Sequence, residues 1–83
     1  MVTPMNAGDL LRLAVTAVER DQCGDVLAAL GSVDWEYRPP SDVMATAVDR
    51  CRKLWRSMHP DDRTMWDASK LSVSDAVKFL KGA

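Results

Sequence analysis

One histidine, one phenylalanine, one tyrosine and two cysteines in 83 residues leave this chain short of the side chains from which most active sites are built. A histidine general base would have to be His59, which stands before Pro60 at a helix junction and reads as a C-terminal residue favoured by the helix dipole. Two cysteines and one histidine, far apart in sequence, lack the close ligand pairs of zinc sites. The acidic doublet Asp61-Asp62 has no spaced oxygen ligands around it and reads as a complement to a helix N-terminus. Glycine-rich phosphate loops and the serine elbow of hydrolases are absent. No cofactor, no metal and no enzymatic activity are therefore expected.

The two cysteines also argue against a secreted scaffold, which at this size usually carries several bridges, so Cys23 and Cys51 are read as reduced thiols. Cys51 falls on an apolar stripe, and Cys23 has no basic neighbour in sequence to activate it. Long apolar runs are missing as well. Uncharged stretches such as Val26 to Val33 fall far short of the ~20 residues that cross a bilayer. No basic leader precedes an apolar stretch at the start, so a soluble cytoplasmic protein is expected, with no membrane partner.

What the chain does have is charge of opposite sign in its two halves. Residues 1–49 hold three cations (Arg12, Arg20, Arg38) against eight carboxylates, whereas residues 50–83 hold eight cations against four carboxylates. The overall net charge of −1 conceals this polarity, which bears on association rather than on fold. Nearly half the residues are apolar, enough to fold one domain spanning 1–83.

Glycine and proline mark off five periodic segments, and the fold class they predict is all-α, a compact bundle of four to five short helices over about 7–21, 25–30, 41–58, 60–69 and 73–81. Gly24 and Gly31 are expected to supply left-handed stops to the first two helices. Ser41 is expected to cap the third, whose stripe Met44, Ala47, Val48, Cys51, Leu54, Trp55 and Met58 makes it the core helix. Met65, Trp66 and Ala68 should bury one side of the fourth, and Ser72 with Asp75 forms a capping pair for the fifth. The segment 32–40, ending in Pro39-Pro40, is predicted to be an extended loop.

Two surfaces stand out as candidate partner sites. On the third helix Arg50, Arg52, Lys53 and Arg56 lie away from the apolar stripe as a basic ridge, with Asp49 placed to pair with Arg52 and Lys53. Arg63 adds to that basic half. The other surface is Trp35, Tyr37 and Arg38, residue types that often anchor interfaces, on a proline-stiffened segment. Those aromatics serve as anchors where they stay in water and as a cover for the core where they fold back. Trp35, with more area to bury, is expected to be the better covered.

Around the ridge, Leu54-Trp55-Arg56-Ser57-Met58-His59-Pro60-Asp61-Asp62-Arg63-Thr64-Met65-Trp66 resembles the second-to-third helix junction of an HMG box, with a core tryptophan before a proline-acid turn and another aromatic after it. The resemblance covers thirteen residues. Upstream the chain lacks the family's basic arm, the aromatic pair of its first helix and its apolar wedge, so the family's DNA-binding function is not carried over.

The function these features point to is a small stoichiometric protein-binding module, an adaptor or inhibitor, docking through the basic ridge and the aromatic segment onto a protein with an acidic surface. Two alternatives are a homo-oligomer assembled through complementary charged halves, and a helical DNA- or RNA-binding domain using the basic ridge.

Overall fold

The computed structural model describes residues 6–62 and 64–83, and over them the chain is an all-α bundle. Four α-helices, α1 (Ala7–Asp21), α2 (Val26–Tyr37), α3 (Ser41–Met58) and α4 (Val73–Gly82), are joined by short links, with a single 3₁₀ helix at Trp66–Lys70. Arg63 lies outside the described residues.

Each start has a chemical cause. Asn6 caps α1 by accepting the Asp9 amide at 2.9 Å, while the Asp9 carboxylate accepts the Asn6 amide, a reciprocal box that satisfies two otherwise orphaned donors. Asp25 caps α2 through the Ala28 amide at 3.0 Å, and Ser72 caps α4 through the Asp75 amide at 3.2 Å. For α3 the expected Ser41 cap does not form. Pro40 occupies the capping position and Ser41 is already helical, because the proline's fixed dihedral leads the chain into the first turn.

The stops differ more from expectation. Neither Gly24 nor Gly31 adopts a left-handed conformation. That role falls to Gln22 (φ 51°) after α1 and to Arg38 (φ 46°) after α2. Instead of ending at residue 30, α2 runs through Gly31 to Tyr37, and the extended loop expected over 32–40 shrinks to Arg38-Pro39-Pro40. The physical reason is Val33. It is fully buried one turn beyond Ala29 and Leu30, so tertiary burial carries the helix past a glycine that costs only ~1 kcal/mol. Pro39 and Pro40, which cannot continue a helix, set the real limit. The helix expected over 60–69 is likewise corrected. Pro60 and Asp61 form a turn rather than a helix start, and only Trp66–Lys70 winds as a 3₁₀ helix, with Met65 and Ala68 buried but Trp66 66% exposed.

Periodicity points to Ser41–Met58 as the central helix, and the structure gives that place to α1. Leu10, Leu11, Ala14, Val15, Ala17 and Val18 are all buried on a broad face of α1 that touches α2, α3 and α4. Complete burial of one such leucine contributes ~1.5–3 kcal/mol. By contrast α3 fully buries only Ala47, Cys51 and Trp55, one residue per turn, and the apolar Val43, Met44, Val48 and Leu54 beside them pack against the core while staying partly exposed. The result is 43 × 25 × 18 Å, long enough to keep surfaces at opposite ends of α3 apart.

Two close contacts lock the links. Gly24 is pressed against the backbone of Leu71 and Ser72, where even a methyl group would collide. The second contact is the Trp55 ring, which lies edge-on to Phe79 of α4 at 5.7 Å and stacks on His59 at 4.0 Å, while its indole N–H donates to Asp62 at 3.1 Å. One buried side chain thus ties together α3, the following turn and α4.

Candidate interaction surfaces

The α2 sequence is uncharged from Val26 to Val33, so it has apolar residues on every side, a composition normally found in helices that are covered all round. Only one side is covered. Val26, Ala29, Leu30 and Val33 enter the core, and the opposite side carries Leu27, Gly31 and Trp35 at one-turn intervals, all exposed. Trp35 lies about 180° around the helix from Val26 and is 76% exposed. Tyr37, at the frayed end, is 48% exposed. The expectation that Trp35 would be the better covered is thus reversed, because extension of the helix through residue 37 fixes Trp35 opposite the buried face whatever its area.

Arg38 completes this surface. Its guanidinium carbon stands 5.5 Å from the centroid of the Trp35 ring, a cation–π contact that leaves the charge in water and stiffens both side chains. Gly31 is also informative, since a Cβ built there would meet nothing within 4 Å. Packing inside this chain therefore does not explain the absence of a side chain at that point of the stripe.

The basic ridge is divided by the fold. Lys53 pairs with Asp49 at 3.0 Å, and Arg50, turned toward α4, donates to the Ala83 carbonyl oxygen at 2.8 Å. Arg52 and Arg56 share the other flank, exposed, and among the described residues no carboxylate lies within 4.0 Å of either. Arg52 is about 16 Å along the α3 axis from Ser41, so the free arginines and the Trp35–Arg38 surface form two separate patches. The intramolecular ion pairs that do form, Arg20 with Asp21 and Glu36 above all, join the ends of α1 and α2 within the acidic half.

Sequence reasoning missed a third feature, a groove between the end of α3 and α4 with Leu54, Met58, Leu71 and Phe79 along it. Met58, expected in the core stripe, is 55% exposed there. The signal was available. Met58 is the last helical residue before a proline turn, where the neighbouring helix no longer covers the stripe.

Cys51, Cys23, His59 and Asp62 are the other side chains that sequence reasoning weighed for chemistry. Burial pushes the Cys51 thiol up to about 11, against a smaller opposing effect of Arg50, so it stays protonated at neutral pH. Cys23 is exposed. His59 is the C-terminal cap of α3, as its place before Pro60 indicates, with its ring against Trp55. Asp62 accepts the Thr64 amide and hydroxyl, each at 2.9 Å, and the Trp55 indole, which together hold its carboxyl below the ordinary range. Among the described residues no group of three or more metal-ligating side chains converges, and no helix is long and apolar enough to cross a membrane.

Comparison with protein-family models, with curated proteins and with solved structures finds no match to this chain. The junction that resembles an HMG box does place Trp55 in the core, but the helix that the resemblance implies after the proline-acid turn is here only a five-residue 3₁₀ helix, with its aromatic Trp66 exposed.

Proposed function

We propose that this protein is a stoichiometric protein-binding module whose docking surface is the outer face of α2, anchored by Trp35 and Arg38 and reaching a partner with an acidic surface. The observation that carries this reading is the uncovered stripe Leu27, Gly31 and Trp35 on a helix whose composition otherwise belongs in an interior. Tryptophan and arginine are the residues most often found at the energetic centre of interfaces. Here they already touch, so little side-chain entropy remains to be lost on binding. The bare Gly31 between Leu27 and Trp35 lets a partner's backbone or bulky side chain come close.

Arg52 and Arg56 act at longer range. Their unpaired charges steer an acidic protein toward the molecule and set the salt dependence of its arrival, without forming the apolar centre of the contact.

The test is capture from native lysate of the source cells by immobilised wild type, Trp35→Ala and Arg52→Glu/Arg56→Glu, with the recovered proteins identified by mass spectrometry. Loss of a central tryptophan typically costs ~2 kcal/mol or more, about 30-fold in affinity, so the partner should vanish from the Trp35→Ala eluate. The double charge reversal should slow association and flatten its dependence on salt. Equal recovery by wild type and Trp35→Ala would refute the reading. Light scattering of the purified protein across salt concentrations separates the homo-oligomer of charge-matched halves, which would show a mass above that of one chain that falls as screening rises.

A further inference from the structure

Cations from three helices gather at one place that involves neither α2 nor the groove between α3 and α4. A pocket of about 250 Å³ is lined by Arg12 from α1, Arg50 from α3 and Lys81 from α4. Among the described residues no aspartate or glutamate lines it. Its floor is apolar, formed by Leu11, Val15 and Leu80, all buried in the core. Arg12 is one of only three cations in the first 49 residues, so the acidic half of the chain adds positive charge here rather than cancelling it.

Neighbouring groups do not use up that charge. Arg12 reaches Asp9 at 3.4 Å in an exposed pair, of a kind worth little in water and readily exchanged for a better-placed anion. Arg50 donates one N–H to the Ala83 carbonyl oxygen at 2.8 Å, which holds its guanidinium beside the pocket and leaves further N–H groups to a ligand. Lys81 has no carboxylate within 4.0 Å among the described residues. Even with Asp9 and any carboxylate at Ala83 set against the three cations, one positive charge remains. We propose that this pocket binds a small organic monoanion, a carboxylate on a compact apolar body, with the body against Leu11, Val15 and Leu80 and the carboxylate among Arg12, Arg50 and Lys81. The volume lies below the ~300–1,000 Å³ typical of sites for drug-sized ligands, which excludes nucleotides and long peptides. The arginine fork matches the two oxygens of a carboxylate, and a single surplus charge over an apolar floor suits it better than a strongly hydrated phosphate dianion.

The experiment titrates the wild-type protein with benzoate, followed through its backbone amide resonances by NMR. Two control ligands each lack half of the match: benzamide has the shape without the charge, and inorganic phosphate has the charge without the apolar body. Benzoate should give a saturable response at Leu11, Val15 and Leu80 with a dissociation constant of about 1 mM or below, as expected of a ligand with so few atoms. Benzamide and phosphate should bind about tenfold more weakly, or not at all. Arg12→Gln and Lys81→Gln, both at exposed positions, should each weaken benzoate by about threefold or more and leave the circular dichroism unchanged. Trp35→Ala should not alter benzoate binding, so this inference stands or falls apart from the α2 reading. Equal binding of benzoate and benzamide, equal binding of benzoate and phosphate, a response that does not saturate or that centres on other residues, or an affinity unchanged in the Arg12→Gln/Lys81→Gln double variant would each overturn the proposal.

Discussion

Replacing Gly24 and Gly31 by alanine should move stability in opposite directions, although both are glycines beside or within the same helix and both look like helix stops in the sequence. At Gly31 the backbone is helical with no positive φ, and an added methyl group meets open space. Alanine there removes the conformational freedom that glycine gives the unfolded chain and should stabilise by ~1 kcal/mol. At Gly24 an added Cβ would fall within bonding range of the Leu71 carbonyl oxygen and 2.6 Å from the carbonyl carbons of Leu71 and Ser72. These are backbone atoms at the entrance to α4, and they cannot turn aside as a flexible side chain would. Separating the α1–α2 link from that entrance also pulls at the cap on Asp75, so the cost should reach ~3 kcal/mol or more, the upper end for overpacking. In a domain of this size each kcal/mol shifts Tm by ~4–8 °C. Urea and thermal unfolding followed by circular dichroism would therefore show Gly31→Ala melting several degrees higher and Gly24→Ala at least ten degrees lower, or unfolded. Equal, small effects at both positions would refute the packing of the α1–α2 link on Leu71 and the continuity of α2 through residue 31.

The other expectations are local. A thiol reagent at neutral pH should modify Cys23 within the mixing time and Cys51 only at the rate of unfolding, giving one fast and one slow equivalent; two fast equivalents would mean that α3 is not packed as described. The Asp62 carboxyl is held below its unfolded value by Thr64 and Trp55, so its stabilising effect is complete above the ordinary aspartate range and is lost as pH falls through the lower, folded value. Asp62→Asn should therefore flatten the acid limb of the stability–pH curve, and a curve that superimposes on wild type would remove the Asp62 link. Trp55→Ala, which empties a buried aromatic site between α3 and α4, should cost ~3–5 kcal/mol and release the stacking that orients His59, visible as a shift of the His59 ring protons in NMR spectra.

Much of the architecture was legible because helix ends depend on local chemistry. Asp25, Ser72 and the Pro39-Pro40 pair signal boundaries that the structure keeps, and the three-and-four spacing of Leu10, Leu13, Ala14, Ala17 and Val18 in α1 marks four buried residues and the partly buried Leu13, while Leu11 and Val15, buried beside them, fall outside that stripe. What escaped was decided over longer range. Val33 extends α2 beyond Gly31 because the core lies there to receive it, and that core is supplied by other helices rather than by the residues next to Gly31. The rank of α1 over α3 follows from which helix meets three neighbours, a property of assembly rather than of either sequence. The same long-range decision governs the candidate sites. The residue types Trp35 and Arg38 were visible as anchors, but their presentation on a helix face depends on the unforeseen turns of α2. Likewise Arg52 and Arg56 could be separated from Lys53 and Arg50 only once Asp49 and Ala83 were placed beside the latter.

The central claim is that the outer face of α2 is open in this chain and covered by another protein in the cell. A photo-crosslinking amino acid placed at Leu27, which leaves Trp35 and Arg38 intact, measures this in living source cells, with Thr16 on the exposed side of α1 as control. The expected result is one dominant heterologous adduct from position 27 that is absent from position 16 and disappears when Trp35→Ala is added. The same faint ladder from both positions, or an adduct of two copies of this chain, would contradict the account.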